Sequence, residues 1–208
     1  LLGPNPLCYA FPGGSHRPLV LDMATSAAAN GKLELAAAAG QPIPLGWAVD
    51  ALGKPSTNPG ILKEGGALLP LGSSPEGGVH KGYGLGALVD LWAGVLSGAS
   101  FGPWVPPFVD FLEPAPDQPG PGIGHAVGAT AVEALMPWEE YGARMDRWAK
   151  RMQEARTAEG HPPLMLHGMP EWLARDQRMR EGIPLTQGRL KALSVLAGQL
   201  GIPPLNPS

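Results

Sequence analysis

Two segments carry the residues best suited to chemistry: Leu19-Val20-Leu21-Asp22-Met23-Ala24-Thr25-Ser26 and Val79-His80-Lys81-Gly82-Tyr83-Gly84-Leu85. Lys81 is a mobile point charge suited to a phosphate, and Gly82 and Gly84 let the backbone approach a ligand closely. Asp22 is placed to accept hydrogen bonds from a ribose. The apolar run before it ends in an acid and two hydroxyl residues, then enters helix formers, the layout of a strand delivering the chain to a helix N-terminus. Unpaired N–H groups in a first turn, reinforced by the helix dipole, suit phosphate or carboxylate, so these segments form a generic anion site and a nucleotide is the first ligand to test there. Taken singly each residue has a blander role: an Asp at a strand end usually caps the next turn, and a lysine before a glycine is usually solvated.

Other reactive residues are sparse. His16 lies in a Gly/Ser loop, His125 precedes an alternating segment and His161 stands before a Pro pair, so all three are expected at the surface. One cysteine, Cys8, excludes an internal disulfide framework and a thiol-rich metal site, which suits a reducing cytoplasm. No metal site is expected.

The elements that must position these residues follow from periodicity. Residues 7–11 and 18–23 have strand length and pattern, and Thr25 or Ser26 caps an Ala-rich helix reaching Gly40. Residues 41–78 form a long structured loop. From residue 83 to 96 the chain is almost continuously apolar with small residues interspersed, which predicts a buried, closely packed helix. Proline and glycine forbid regular structure over most of residues 97–124. Residues 125–135 alternate like a strand, and Pro137 starts a helix to about residue 158 whose Tyr141, Met145, Trp148 and Met152 form a core face. A short strand at 163–166, a turn at His167-Gly168-Met169-Pro170, a helix at 171–180 and a last helix at 186–199 complete the plan, with Gly182 and Gly201 as stops. Two parts are expected: a domain at 1–158 and a helical segment at 159–208 packed on it.

Composition sets outer bounds. The chain has 208 residues, 44% hydrophobic and 16% charged, with a formal net charge of −3, which is a globular profile. With no Lys/Arg stripe, a nucleic-acid surface is not expected. Neither a signal sequence nor an apolar run of about 18 residues is present, so membrane insertion is not expected either. Leu1-Leu2-Gly3-Pro4-Asn5-Pro6 has the character of the interior of something larger.

Seven islands occur in an order that resembles the type-2 malate/L-lactate dehydrogenase family, which includes ureidoglycolate, sulfolactate and diketogulonate dehydrogenases and ketimine reductases. They are Gly3-Pro4-Asn5-Pro6-Leu7, Leu19-Val20-Leu21-Asp22-Met23-Ala24-Thr25-Ser26, Asn30-Gly31-Lys32, Gly46-Trp47-Ala48-Val49-Asp50, Leu68-Leu69-Pro70-Leu71-Gly72, His80-Lys81-Gly82-Tyr83-Gly84-Leu85 and Gly182-Ile183-Pro184-Leu185. The resemblance runs from Gly3 to about Pro203 and is weakest between residues 99 and 131.

It implies an α/β fold of the non-Rossmann, NAD(P)-binding kind, incomplete at the N-terminus, and hydride transfer between NAD or NADP and a small 2-hydroxy or 2-oxo acid. No Gly-x-Gly-x-x-Gly follows a strand here, in keeping with a non-Rossmann fold. By resemblance Asp22, Met23, Ala24, His80, Lys81, Gly168 and Met169 lie against the cofactor, and the protein forms a homodimer. The family's catalytic histidine belongs to a segment upstream of the Gly3 turn, so no catalytic residue is assigned. Three departures stand out. Pro4 takes the place of a Thr, Met169 takes that of an acid, and residues 126–137 lack the family's Ala-Ile-Asp-Pro pattern. Lys32 stands where ketimine reductases tend to carry Asp, which favours an oxo acid over a cyclic imine. The alternative is an inactive truncated remnant serving as a nucleotide-binding or dimerising module.

Overall fold

The computed structural model describes residues 2–107, 109, 111–113 and 115–205; Phe108, Asp110 and Pro114, in the Pro/Gly-rich stretch, lie outside the described residues. The chain divides into two compact units, residues 1–146 and 147–208.

The first unit opens with strands β1 (Leu7–Phe11) and β2 (Leu19–Met23). They form an antiparallel hairpin in which Cys8 faces Asp22 and Tyr9 faces Leu21. The connecting loop returns to helix α3 (Trp138–Gln153). There the Tyr141 hydroxyl donates to the Pro12 carbonyl at 2.9 Å, and the Ser15 N–H donates to Asp146 at 2.8 Å.

The helix expected to start at Thr25 or Ser26 starts later, as α1 (Asn30–Ala38), with Ala29 at its N-cap. The reason lies in the backbone. The Thr25 N–H donates to the Pro4 carbonyl, the Ala27 N–H to Leu69, and the Leu71 N–H to Thr25, which spends residues 25–27 on a strand-like ladder. Residues 41–78 are also more regular than a loop. They contain β3 (Ala48–Val49), β4 (Pro55–Ser56) and β5 (Ala67–Leu68), a small antiparallel sheet with β3 in the middle. Ala28, Leu33, Ile43, Ala48 and Ile61 close a core over it, flanked by Ala36, Trp47, Leu62 and Leu68.

Helix α2 (Val79–Asp90) continues into a π-helical turn, Leu91–Val95. The helix exists as expected but is not buried as expected: its small residues face inward and its large ones face out. Gly82, Gly86 and Gly94 are buried, whereas Leu88, Leu91, Trp92 and Val95 are exposed. The glycines bring the helix backbone against its neighbours, and the bulky side chains take the remaining side. Beyond it, Asp90 accepts the Gly102 N–H through both carboxylate oxygens (2.8 and 3.0 Å), and the Ser100 hydroxyl donates to the Gly120 carbonyl at 2.6 Å. These bonds fasten Gly102 to Asp90 and Gly120 to Ser100, and among the described residues of the Pro/Gly-rich stretch Gly102–Trp104 form a 3₁₀ turn.

Residues 125–135 do not form the expected strand. They hold only a 3₁₀ turn, Val132–Ala134, and Val127 is almost fully exposed, so alternation had no sheet neighbour to satisfy. Along α3, Tyr141, Met145 and Met152 are partly buried and Ala149 fully so, but Trp148 is exposed.

The second unit contains α4 (Met169–Glu181) and α5 (Gln187–Leu200). Thr186, where the sequence predicts the last helix to begin, caps α5 by accepting the Arg189 N–H, and Gly201 ends it in a left-handed conformation, the stop that the sequence predicts. No strand forms at 163–166.

Candidate functional site

Thr25 is the joint between the two segments that the sequence singles out. Three residues beyond Asp22, its buried side chain donates to the Pro4 carbonyl at 2.7 Å. A Cβ placed on Gly86 of α2 would lie 3.2 Å from the Thr25 hydroxyl oxygen. Asn5, with a left-handed φ of 41°, donates its side-chain amide to the Gly86 carbonyl at 2.9 Å. Leu71, bonded to Thr25, lies against Gly82: a Cβ there would collide with the Leu71 carbonyl oxygen and stand 2.5 Å from its nitrogen. Only a glycine allows this approach. The turn at Pro4-Asn5, the end of β2 and the first half of α2 are therefore one bonded assembly.

Around that joint, Asp22 is exposed on β2, and Met23 and Ala24 are partly buried. His80 and Lys81 are exposed in the first turn of α2, whose N-cap, Gly78, has a φ of 82°. The Lys81 stem lies over Gly78, with carbons 3.5 to 3.9 Å from where a Cβ would stand. The preceding loop is ordered by Ser74, whose carbonyl accepts the Val79 N–H at 3.0 Å and whose hydroxyl accepts the Gly77 N–H at 3.1 Å. The carboxyl of Glu76 is held below its ordinary value, first by a bond from its own backbone N–H and then by the Ser74 hydroxyl. Gly84, by contrast with Gly82, has open space beside it. The strand end therefore does not feed a helix N-terminus directly, as the sequence had implied; the helix N-terminus beside it is that of α2, and it carries the lysine.

Gly168 and Met169 belong to the second unit. Gly168 caps α4 with a φ of 87°, and Gln153 donates to the Met169 sulfur at 3.9 Å. The methionine side chain thus packs against the end of α3. Lys32 sits 5.6 Å from the Trp47 ring centroid, a cation–π contact on the surface of α1. Asn5 and Thr25 escaped sequence reading as positioning residues. An asparagine between two prolines was the one local signal, because Asn tolerates the left-handed region better than most residues. Among the described residues no cluster of three or more potential metal ligands occurs, and no helix is long and apolar enough to cross a membrane.

Comparison with known proteins places this arrangement. The sequence model of the malate/L-lactate dehydrogenase family matches residues 1–194. The chain is 33% identical over 204 residues to a malate dehydrogenase of Pyrococcus horikoshii, covering 97% of this chain and 54% of the relative. It is 35% identical over 199 residues to a Delta(1)-pyrroline-2-carboxylate/Delta(1)-piperideine-2-carboxylate reductase of Pseudomonas putida, covering 95% of this chain. The solved structure of malate dehydrogenase from Pyrococcus horikoshii OT3 superposes with a TM-score of 0.76 at 29% identity, covering 99% of this chain and 53% of that one. The chain belongs to the malate/L-lactate dehydrogenase family and has its α/β fold. It spans about half the length of the curated relatives it matches.

Proposed function

We propose that this chain supplies much of the cofactor site of an oxidoreductase that transfers a hydride between NAD or NADP and a small 2-hydroxy or 2-oxo acid of the malate or lactate type. The observation that carries the reading is the bonded assembly of the Pro4-Asn5 turn, the end of β2 and α2, which sets an exposed carboxylate and an exposed lysine on adjoining segments. The donor set fits a dinucleotide. Lys81 is the phosphate ligand, a point charge on the first turn of a helix whose dipole favours an anion. Asp22 accepts from ribose hydroxyls, with Met23 and Ala24 supplying apolar contact, and His80, Gly168 and Met169 complete the proposed contacts. When bound, the nicotinamide supplies the hydride; the residues of this chain bind and orient it. Met169, already packed by Gln153, contributes bulk where the family has an acid. The proton that accompanies the hydride is assigned to no residue here.

Finer parts of the reading are a homodimer in a reducing cytoplasm, the latter suited to the single exposed thiol of Cys8, and an oxo acid rather than a cyclic imine as substrate. The first test is titration with NADH and NADPH, followed by quenching of tryptophan fluorescence. Binding at submillimolar concentration is expected, and Lys81→Ala should weaken it about tenfold, the value of one charge-assisted contact. No binding of either nucleotide at millimolar concentration sinks the proposal. Turnover assays with malate, lactate and a cyclic imino acid then separate the substrates.

A further inference from the structure

The ribbon that carries Asp22 is held at both ends. Among the described residues β1 and β2 pair only with each other, and two strands without a third are marginal on their own in water. Their bearing is therefore set by what fastens the ends. At the open end Thr25 donates twice to the Pro4 carbonyl, through its N–H at 2.8 Å and its hydroxyl at 2.7 Å. At the closed end the loop lies on the first part of α3, residues 138–146. Asp146 accepts the Ser15 N–H at 2.8 Å, and the Tyr141 hydroxyl donates to the Pro12 carbonyl at 2.9 Å.

The seat on α3 is built for close approach. A Cβ on Gly14 would collide with the Gly142 carbonyl oxygen and stand 2.5 Å from Asp146 Oδ1, so the loop reaches the helix only as glycine. From the helix side there is room: a Cβ on Gly142 would stand 3.7 Å from the Gly14 Cα, an ordinary contact. Tyr141 is steadied by Trp138, whose ring stacks on it with centroids 5.7 Å apart. Burial pushes the Tyr141 phenol up, so it stays a donor throughout the neutral range. His16 Nε2 lies 3.8 Å from the Asp146 oxygen that takes the Ser15 N–H, but both side chains are at the surface, where such a pair contributes little. Arg144, also on α3, is turned to Glu140 at 2.8 Å. Bonds to the loop backbone are what fix the closed end.

We propose that Tyr141 and Asp146 are positioning residues for nucleotide binding: by clamping the β1–β2 loop to α3 they fix the ribbon that presents Asp22. Their role rests on the reading of Asp22 as a ribose acceptor. Charge separates positioning from electrostatics at Asp146. A dinucleotide is an anion, so removing an acid by itself favours binding, whereas loosening the ribbon opposes it.

The test measures binding of NADH and NADPH by quenching of tryptophan fluorescence, and amide exchange along residues 7–11 and 19–23, in the 208-residue chain and its variants. Asp146→Ala and Gly14→Ala should each weaken the tighter-binding nucleotide about fivefold, the size of one hydrogen bond, and quicken exchange in both strands while Leu33 stays protected. Asp146→Asn keeps an acceptor oxygen for the Ser15 N–H and should bind within about twofold of the unaltered chain. Gly142→Ala, whose methyl group has room, should do likewise. Tyr141→Phe removes only a hydroxyl, should weaken binding about threefold, and carries the test if a larger change unfolds the chain. Binding that Asp146→Ala and Tyr141→Phe leave unchanged or tighten overturns the positioning role and leaves the cofactor reading standing. So does a loss in Asp146→Asn equal to that in Asp146→Ala. If the unaltered chain binds neither nucleotide at millimolar concentration, the cofactor reading falls and the positioning role with it.

Discussion

The region of α1 and the region of α2 bury opposite kinds of residue. Over the small sheet β3–β4–β5, Leu33 is 1% exposed and Ile43 2%, and the bulky side chains of the segment point into a core that the segment itself completes. Along α2 the buried positions are glycines and the bulky side chains are open. The first arrangement lowers free energy by removing apolar area from water within one stretch of chain. The second brings backbones together, Gly82 on Leu71 and Gly86 at Thr25, and so holds a lysine-bearing helix turn beside an acid-bearing strand end. One region is built to be stable and the other to be placed.

That contrast breaks most visibly at Leu33. Truncation of a fully enclosed leucine leaves a cavity, so Leu33→Ala should cost about 3 kcal/mol in urea denaturation, whereas Leu88→Ala, already in water, should change stability by no more than about 0.5 kcal/mol. Equal costs at the two sites would erase the distinction. Next in size is Gly82→Ala. Its methyl group has no room against the Leu71 backbone, so a loss of about 2 kcal/mol is expected, accompanied by weaker nucleotide binding as α2 shifts. Two positions on, Gly84→Ala should do the opposite and stabilise the chain by about 0.5 kcal/mol, since nothing lies within 4 Å and alanine is the better helix former. A destabilising Gly84→Ala would mean that this side of α2 is already packed.

The same contrast explains what could be read without coordinates. The strands β1 and β2, the helices α4 and α5 and their stops at Gly182 and Gly201 follow from local signals, and local signals suffice where a residue's partner is a few positions away. The start of α1 was misplaced because Thr25, an excellent capping residue, is taken by Pro4, 21 positions earlier. The burial of α2 was inverted for a related reason. An apolar run with small residues describes a helix packed on both sides, and sequence periodicity does not say which side this chain covers. Residues 125–135 alternate, but a strand needs a neighbour as well as a pattern. Of the site, Lys81 and Asp22 were legible as types of residue in recognisable islands. Their joint, made by Asn5, Thr25, Leu71 and Gly86, was not, because it consists of long-range bonds to backbone atoms that carry no side-chain signature.

The smallest effect concerns the loop that leads into α2. The Glu76 carboxylate accepts from its own N–H and from the Ser74 hydroxyl, which itself accepts the Gly77 N–H. These bonds favour the charged form, so the carboxyl titrates below the ordinary carboxylate value in the folded loop. A carboxyl depressed in this way contributes order above its unfolded value and loses that contribution as pH falls through the folded one. Because the group lies at the surface, the expected change is local and does not amount to unfolding. As pH falls from about 5 to about 3, amide exchange corrected for intrinsic rate should quicken at Gly77 and Gly78 while Leu33 stays protected. Glu76→Gln should remove the pH dependence at the two glycines. If their exchange follows that of Leu33 at every pH, the loop and the α1 core open as one unit, and the separate construction of the two regions is wrong.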